Sequence, residues 1–339
     1  MIPADLLEAY GFTSSHLEPV SGGLINTTYV VKGDDGTAIA ALQRLHPVFA
    51  PEVNFDIEAI SKVLAEHGLP TPRLLRTQSG DAWHQCGQET WRAISWVEGQ
   101  CFSKLRDPAL AENAAELVAR FHLALAPLQY KFRFQRSGVH DTAEHLRKLE
   151  AARCTSADIG EAEALRIAIA RQAAALPAMP SLPQRICHGD LKISNLLFDE
   201  EGKGLCLIDL DTMGYQTIAY ELGDALRSWG NPTGEDTTSP AIDSAIVEAA
   251  ARGYARGSQG LLSRDEIDSV IIGLETICLE LAARFCLDAF EDNYFGWDSS
   301  KYASRRQHNI VRGQGQLALC RSVAKQRDEL QTLWSGAFV

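Results

Sequence analysis

The sequence predicts an α+β fold in two unequal lobes, a small antiparallel β-sheet with one helix followed by a larger, mainly helical part. Three observations predict it. Short β-branched stretches separated by turn signals fill roughly the first 97 residues. After Glu98-Gly99 the texture changes to alanine-rich stretches with helical spacing. Inside that helical part sits one strand–loop–strand unit, Arg185 to Leu210. A chain of 339 residues holds two structural units or one large domain. The expected division gives lobes of residues 1–97 and 98–339, with a connector at Ser95 to Gln100.

The elements follow in order. Ala4 to Tyr10 is a short helix candidate. Ser21-Gly22-Gly23 is a turn leading into a β-branched strand that runs to Val31. Asp34-Asp35-Gly36 is a hairpin signal, with Ala38 to Leu45 as the partner strand. Phe55 to Glu66 has helical spacing through Ile57, Ile60, Val63 and Leu64, and ends near Gly68 and Pro70. Leu74–Leu75, Ala82–Trp83 and Trp91 to Val97 read as further short strands. Helices are expected over Pro108 to Leu125, Ala143 to Arg153 and Ser156 to Leu176, before a proline-punctuated break at Pro177 to Pro183. Beyond the strand–loop–strand unit, Ile242 to Gly257, Arg264 to Phe290 and Tyr302 to Leu333 read as helical.

Composition excludes several function classes. The chain is 45% hydrophobic with a formal net charge of −12, so nucleic acid is not expected as its partner, because phosphate-backbone binding needs a basic surface. No apolar run approaches the ~18–20 residues needed to cross a bilayer, and no membrane partner is expected. The N-terminal stretch lacks a basic start before an apolar segment, and the eight cysteines form no C-x-x-C pair. Both point to a cytoplasmic chain with reduced, mostly buried thiols.

The strongest chemical signal is His188-Gly189-Asp190-Leu191-Lys192-Ile193-Ser194-Asn195, followed by a strand ending in Ile208-Asp209-Leu210-Asp211. Phosphoryl transfer from ATP needs a carboxylate aimed at the acceptor hydroxyl and oxygen ligands for the Mg²⁺ that bridges the phosphates. Asp190 suits the first role, and Asn195 with Asp209 the second. Lys192, on the same loop, can meet the charge on the transferred group. His188 reads as a brace for the loop. No P-loop motif and no zinc-ligand spacing occurs.

These residues resemble the aminoglycoside phosphotransferase and choline kinase superfamily, which shares the protein-kinase-like fold. The resemblance implies that Asp190 is the catalytic base and that Asn195 and Asp209 ligate Mg²⁺. Gly189 stands where protein kinases usually carry arginine, which argues against a kinase switched by phosphorylation. Gly22 and Gly23 sit where the family has its phosphate-covering hairpin. The strand Ala41 to Leu45 carries no phosphate-holding lysine, so Arg44 is the expected substitute, with Glu58 as its ion-pair partner; a surface position for Arg44 and a solvated helix position for Glu58 fit the sequence equally. Ser95 to Glu98, with Ser95 and Val97, is the expected adenine-binding hinge. With −12 overall, the nucleotide site must be a local exception built from Mg²⁺, Lys192 and Arg44.

Further patches resemble the N-acetylhexosamine 1-kinase branch: Gly223 to Arg227, Asn231 to Asp236, Arg284-Phe285 with Asp288, Asp292 to Phe295, and His308-Asn309 with Arg312. That resemblance implies a sugar acceptor phosphorylated on its anomeric hydroxyl, with Asn26, Lys192 and Arg284 near the sugar and the reacting phosphate. Arg284 could instead pair with an acid in a helical core, and Asp224 with Arg227 is expected as a structural brace. Three other small-molecule acceptors fit the same fold. Choline would want an aromatic cage from Trp229, Tyr294, Phe295 and Trp297. An aminoglycoside would want acids such as Glu291, Asp292 and Asp298, and homoserine an arginine such as Arg284 or Arg312. A nucleotide-binding pseudokinase acting as an interaction module is the reading from another class, motivated by the missing lysine.

Overall fold

The computed structural model describes residues 2–12, 16–20, 26–105, 107–136, 138–154 and 159–339. Helix α1 (Ala4–Tyr10) precedes strands β1 (His16–Pro19), β2 (Thr27–Lys32) and β3 (Ala38–Arg44). Helix α2 (Val53–Glu66) follows, then β4 (Leu74–Leu75), β5 (His84–Cys86) and β6 (Glu89–Ser95). These strands form one antiparallel sheet in the order β1-β2-β3-β6-β4, with β5 also on β6. Strand alternation gives the sheet two faces. One is apolar and lies under α1, where Leu6, Ala40, Leu42, Trp91 and Ala93 are buried together. The other carries Ala41, Gln43 and Arg92.

Strand β7 (Gln100–Cys101) leaves this sheet and pairs with β9 (Leu196–Phe198), which also pairs with β10 (Gly204–Leu207). A second ribbon joins β8 (Arg185–Cys187) to β11 (Gly214–Gln216). The helices are α3 (Pro108–Leu125), α4 (Thr142–Ala151), α5 (Gly160–Ala173), α6 (Ile218–Trp229), α7 (Ser244–Ser258), α8 (Arg264–Glu291), α9 (Arg305–Lys325) and α10 (Arg327–Gly336). Helix α3 packs on α7, and α8 packs on α6 and α9. The contact of α6 with α8 is close because Gly223 and Gly273 face it. A Cβ on Gly273 would lie 1.9 Å from the Ala219 carbonyl oxygen.

The connector after Ser95 does not divide the hydrophobic core. Leu45, Phe49, Val53, Ile57, Ile60 and Leu64 are buried in one cluster with the C-terminal helices. Asp56 of α2 is buried and accepts hydrogen bonds from the Tyr130 hydroxyl (2.8 Å) and from the backbone N–H groups of Arg133 and Phe134 (both 2.9 Å). Helix α2 is thus tied directly to the C-terminal part. Several features depart from the sequence reading: the strand expected at Ala82–Trp83 forms instead at His84–Cys86, and β7 and β11 were not expected. Strand β1 was not expected, α6 was not expected, and the helix expected over Tyr302 to Leu333 is interrupted at Gln326. All eight cysteines are free, five of them buried. Among the described residues no helix is long and apolar enough to cross a membrane.

Candidate active site

The His188–Asn195 motif, expected as the catalytic loop, begins where β8 ends, so its first residue inherits a fixed strand position. His188 is fully buried and acts as the expected brace. Its Nε2–H donates to the Ile208 carbonyl (2.9 Å), tying the loop to the segment that bears Asp209, while Nδ1 accepts from the Asp190 N–H (3.3 Å). Gly189 has φ +81°, and a Cβ there would lie 2.5 Å from the Thr212 carbonyl oxygen. Glycine is therefore demanded by backbone conformation and by the close approach of the Asp211–Thr212 turn.

From α6, Glu221 supports the same loop. Its carboxylate accepts the N–H groups of His188 (2.7 Å) and Gly189 (2.9 Å). Burial pushes its pKa up, but His122, His188 and the Gly189 N–H outweigh that and hold it below the ordinary carboxylate value. Two further bonds from α6 anchor the loop: Trp229 Nε1–H donates to the Leu191 carbonyl (2.9 Å), and Ser228 Oγ accepts the Ile193 N–H (3.2 Å).

The expected catalytic group is assembled. Lys192 Nζ donates to Asp190 Oδ2 (2.7 Å), and Asn195 Nδ2 donates to the same oxygen (3.0 Å) and to the Asp190 carbonyl (2.9 Å). Asp190 and Lys192 stay partly exposed, with side chains at 27% and 30%, so both can meet a ligand. Burial works against the Lys192 charge, but Asp190 and Asp209 outweigh it and raise its pKa, which keeps the ammonium protonated. Asp209 takes a left-handed conformation, φ 63°. Burial, then the nearby Asp211 and Asp190, push its pKa up to about 6.

Such crowding is what a divalent cation would relieve, and the amide of Asn195 with the carboxylate of Asp209 suits oxygen-liking Mg²⁺. A test follows from the sign of the shift. A carboxyl whose folded pKa lies above its unfolded value stabilises the fold only while protonated. That contribution is lost as pH rises from about 4 through 6. Asp209→Asn should therefore stabilise the cation-free protein at pH 7, by on the order of 1–3 kcal/mol. The gain should fade as pH falls towards 4, and thermal unfolding with and without MgCl₂ should show the variant losing the cation's stabilisation. A variant less stable than wild type at pH 7 without cation would contradict this account.

The sheet meets this group through a buried polar network. Arg92 of β6 is 1% exposed and forms a bidentate pair with Asp211, Nη1 to Oδ1 at 2.5 Å and Nη2 to Oδ2 at 2.8 Å. Its Nε–H donates to Gln43 Oε1 (2.8 Å), and Nη1 lies 3.4 Å from Asn54 Oδ1 on α2. Asn26 completes the set, donating from Nδ2 to Asp211 Oδ2 (2.7 Å) and accepting the His46 N–H at Oδ1 (2.9 Å).

This geometry corrects two expectations. Arg44 does not reach the phosphate end. It shares strand parity with Ala40 and Leu42, which pack beneath α1, so its side chain leaves on the sheet face away from the cleft. There it is 45% exposed and bonds Glu89 (2.7 Å) and Thr27 (3.1 Å). Gln43 holds the cleft-facing position. Glu58 does not pair with Arg44 either. It binds Arg76 at 2.6 and 2.7 Å on the exposed side of α2. The residue α2 turns towards the network is Asn54.

The remaining expected residues are dispersed. Gly22 and Gly23 lie outside the described residues. Ser95 Oγ accepts the Arg73 N–H (2.9 Å), so its hydroxyl serves β4, while the backbone of Val97 makes no hydrogen bond among the described residues. The Arg284 guanidinium lies 5.7 Å from the Phe295 ring centroid. It has no acid within ion-pair distance among the described residues, so the core pairing does not form. Asp224 and Arg227 form the expected buried brace at 2.9 Å, extended by Arg227 to Glu235 (2.9 Å). The C-terminal patches form a scaffold. Asp288 accepts the N–H groups of Asn293, Tyr294 and Phe295 and the Asn309 amide, while Asp236 holds His308 and Arg312.

Comparisons with known proteins bear on the family and the fold. A family model described as the phosphotransferase enzyme family matches residues 16–262. Among solved structures, the chain is similar to an aminoglycoside phosphotransferase from Alicyclobacillus acidocaldarius subsp. acidocaldarius DSM 446, at 19% identity over 97% of both chains with a TM-score of 0.66. It is also similar to a microcompartment-associated aminopropanol kinase, at 15% identity over 97% of both chains with a TM-score of 0.62. A choline/ethanolamine kinase family protein from Mesorhizobium loti matches at 16% identity, covering 95% of this chain and 92% of that one, with a TM-score of 0.57. At these identities the structures show a shared protein-kinase-like fold.

Proposed function

Since the chain belongs to the phosphotransferase enzyme family, we propose that it is an ATP-dependent kinase of a small-molecule hydroxyl, acting on the anomeric hydroxyl of an N-acetylhexosamine or related sugar. The observation that carries the reading is the Asp190 carboxylate, partly exposed and fixed by Lys192 and Asn195. In this reading Asp190 orients the acceptor hydroxyl and takes its proton as the new O–P bond forms and ADP leaves with the electron pair of the broken bond. Lys192 offsets charge on the transferring group, a role Arg44 cannot share from the opposite sheet face. Asn195 and Asp209 would hold Mg²⁺, which when bound neutralises the phosphates. Arg92 and Asp211 keep the Asp209 turn in register with the sheet, and positioning carries much of the rate. The hinge backbone at Val97 is offered to adenine.

The acceptor end of the cleft favours an uncharged ligand. Asp224 is neutralised by Arg227. Trp229 is 1% exposed and bonded to Leu191, so it cannot line a choline cage. Phe295 already faces the cation of Arg284, which disfavours a quaternary ammonium there. A screen of purified protein with Mg-ATP should show N-acetylglucosamine or N-acetylgalactosamine as the best acceptor. The corresponding methyl glycoside, blocked at the anomeric oxygen, should give no phosphorylation above the water rate. Equal activity on the methyl glycoside would exclude 1-phosphorylation.

A further inference from the structure

A cavity of about 990 Å³ opens between α2, the chain around β4 and the stretch Tyr130 to Arg133. None of the residues gathered around Asp190 lines it, so it is separate from the candidate active site. Its charged lining is one-sided. Lys62, Arg73, Arg76, Lys131 and Arg133 stand there against two acids, Glu58 and Glu66. A cationic hollow runs against the average of a chain whose net charge is −12.

Most of these cations lack an acid. Glu58 is taken up by Arg76, at 2.6 and 2.7 Å. Among the described residues, Lys62, Arg73, Lys131 and Arg133 form no ion pair, and Lys62 does not pair with Glu66 one turn on along α2. Several exposed arginines elsewhere do pair: Arg147 with Glu144, Arg264 with Asp268, and Arg256 with Glu116. The Arg133 guanidinium lies 4.4 Å from the Phe55 ring centroid, a contact that steadies its plane and leaves its N–H edge open. Four like charges around one hollow repel one another, and an anion between them relieves that repulsion. Ala59, Ala65 and Leu74 add an apolar wall against which a carbon skeleton can lie.

We propose that this hollow is a second ligand site, and that it takes a small organic polyanion carrying two or more phosphate or carboxylate groups. Arg73 and Arg133 offer forked N–H donors to oxygen anions, and Lys62 and Lys131 offer ammonium charges on flexible stems. The four come from three segments, α2, the start of β4 and the 130–133 stretch, so one bound polyanion bridges all three. That is why a compound with several anionic groups fits better than a lone anion. Helix α2 also offers Asn54 to Arg92 and is held through Asp56 by the Tyr130 segment. Occupancy therefore bears on the helix that supports the Arg92 clamp. The site stands apart from the reading of Asp190 as the phosphorylation centre and does not depend on it.

The test is calorimetric titration of the full chain in saturating Mg-AMP-PNP, which occupies the nucleotide cleft. Fructose 1,6-bisphosphate is the phosphate probe and tricarballylate the carboxylate probe; fructose and acetate are the controls. At least one polyanion should bind where the controls do not, and its affinity should fall about fivefold or more between about 50 and 300 mM NaCl. Lys62→Ala combined with Lys131→Ala should weaken it about tenfold or more. Both side chains are exposed, so the thermal midpoint without ligand should stay close to wild type. Glu66→Gln, which removes the unpaired acid of the hollow, should tighten binding about twofold, and it carries the test if the double variant fails to fold. Binding of one probe alone that follows these variants upholds the site and names its preferred anionic group. Binding that neither variant moves places the anion elsewhere and overturns the site. No binding of either polyanion at about 10 mM, or equal binding of fructose, overturns it as well.

Discussion

Asp190→Asn is expected to lower turnover about 10²–10⁴-fold while nucleotide affinity stays within about twofold of wild type. The substitution preserves shape, and an amide oxygen can still accept the Asn195 Nδ2–H that now reaches Asp190 Oδ2 at 3.0 Å. The base is lost: an amide cannot take a proton from an attacking hydroxyl at neutral pH. Lys192 loses the partner at 2.7 Å that most favours its charge, but Asp209 still acts on it. The residues assigned to the metal and to the Arg92–Asp211 clamp are untouched, so Mg²⁺ and nucleotide should bind as before. Turnover and calorimetric binding of Mg-AMP-PNP separate the two effects. Near-normal turnover would remove Asp190 from the role of base. An interaction module without catalysis would show no Asp190-dependent ADP release with any acceptor.

The catalytic loop was legible because its chemistry is local. Asp190, Lys192 and Asn195 lie within six residues, and a single turn brings their polar atoms within 3.0 Å of one another's partners. Asp209 was legible because it ends an apolar strand at the expected distance. Arg44 was misplaced because a strand fixes parity but not which parity faces the cleft. Only packing under α1 decides that, and it turns Gln43 inward. Arg92 and Glu221 were missed for a related reason. Each is a buried charged residue whose partner lies far along the chain, 119 residues for Arg92 to Asp211 and 33 for Glu221 to His188. Helix α6 was missed although it is buried almost all round, with Glu221, Asp224 and Arg227 among its buried residues. The C-terminal patches, noted for their resemblance to one branch, contain several residues that support a loop. Asp288, Asn309 and His308 hold the loop that places Phe295 against Arg284.

The second large effect concerns the clamp between the sheet and the Asp209 turn. Arg92→Met should cost about 3–5 kcal/mol of stability, because it leaves a buried, unpaired carboxylate. The Asp211 side chain is fully buried, and without Arg92 its donor from another side chain, among the described residues, is Asn26 alone. Arg92→Lys should recover little of this, since an ammonium cannot reproduce two parallel N–H bonds while also meeting Gln43 and Asn54. Removing both charges is the informative case. Arg92→Met with Asp211→Leu leaves no uncompensated charge, and buried pairs replaced by apolar residues of similar volume are often neutral in stability. The double variant should regain most of the urea midpoint lost by the single one. It should not regain turnover, because Asp211 lies two residues from Asp209 and the pair is what binds that turn to β6. The pair therefore serves geometry more than stability, and urea unfolding with kcat on the same three proteins separates the two. A double variant as active as wild type would show that the Asp209 turn holds its place without the clamp. A single variant costing under about 1 kcal/mol would show that Asp211 is not buried as a charge.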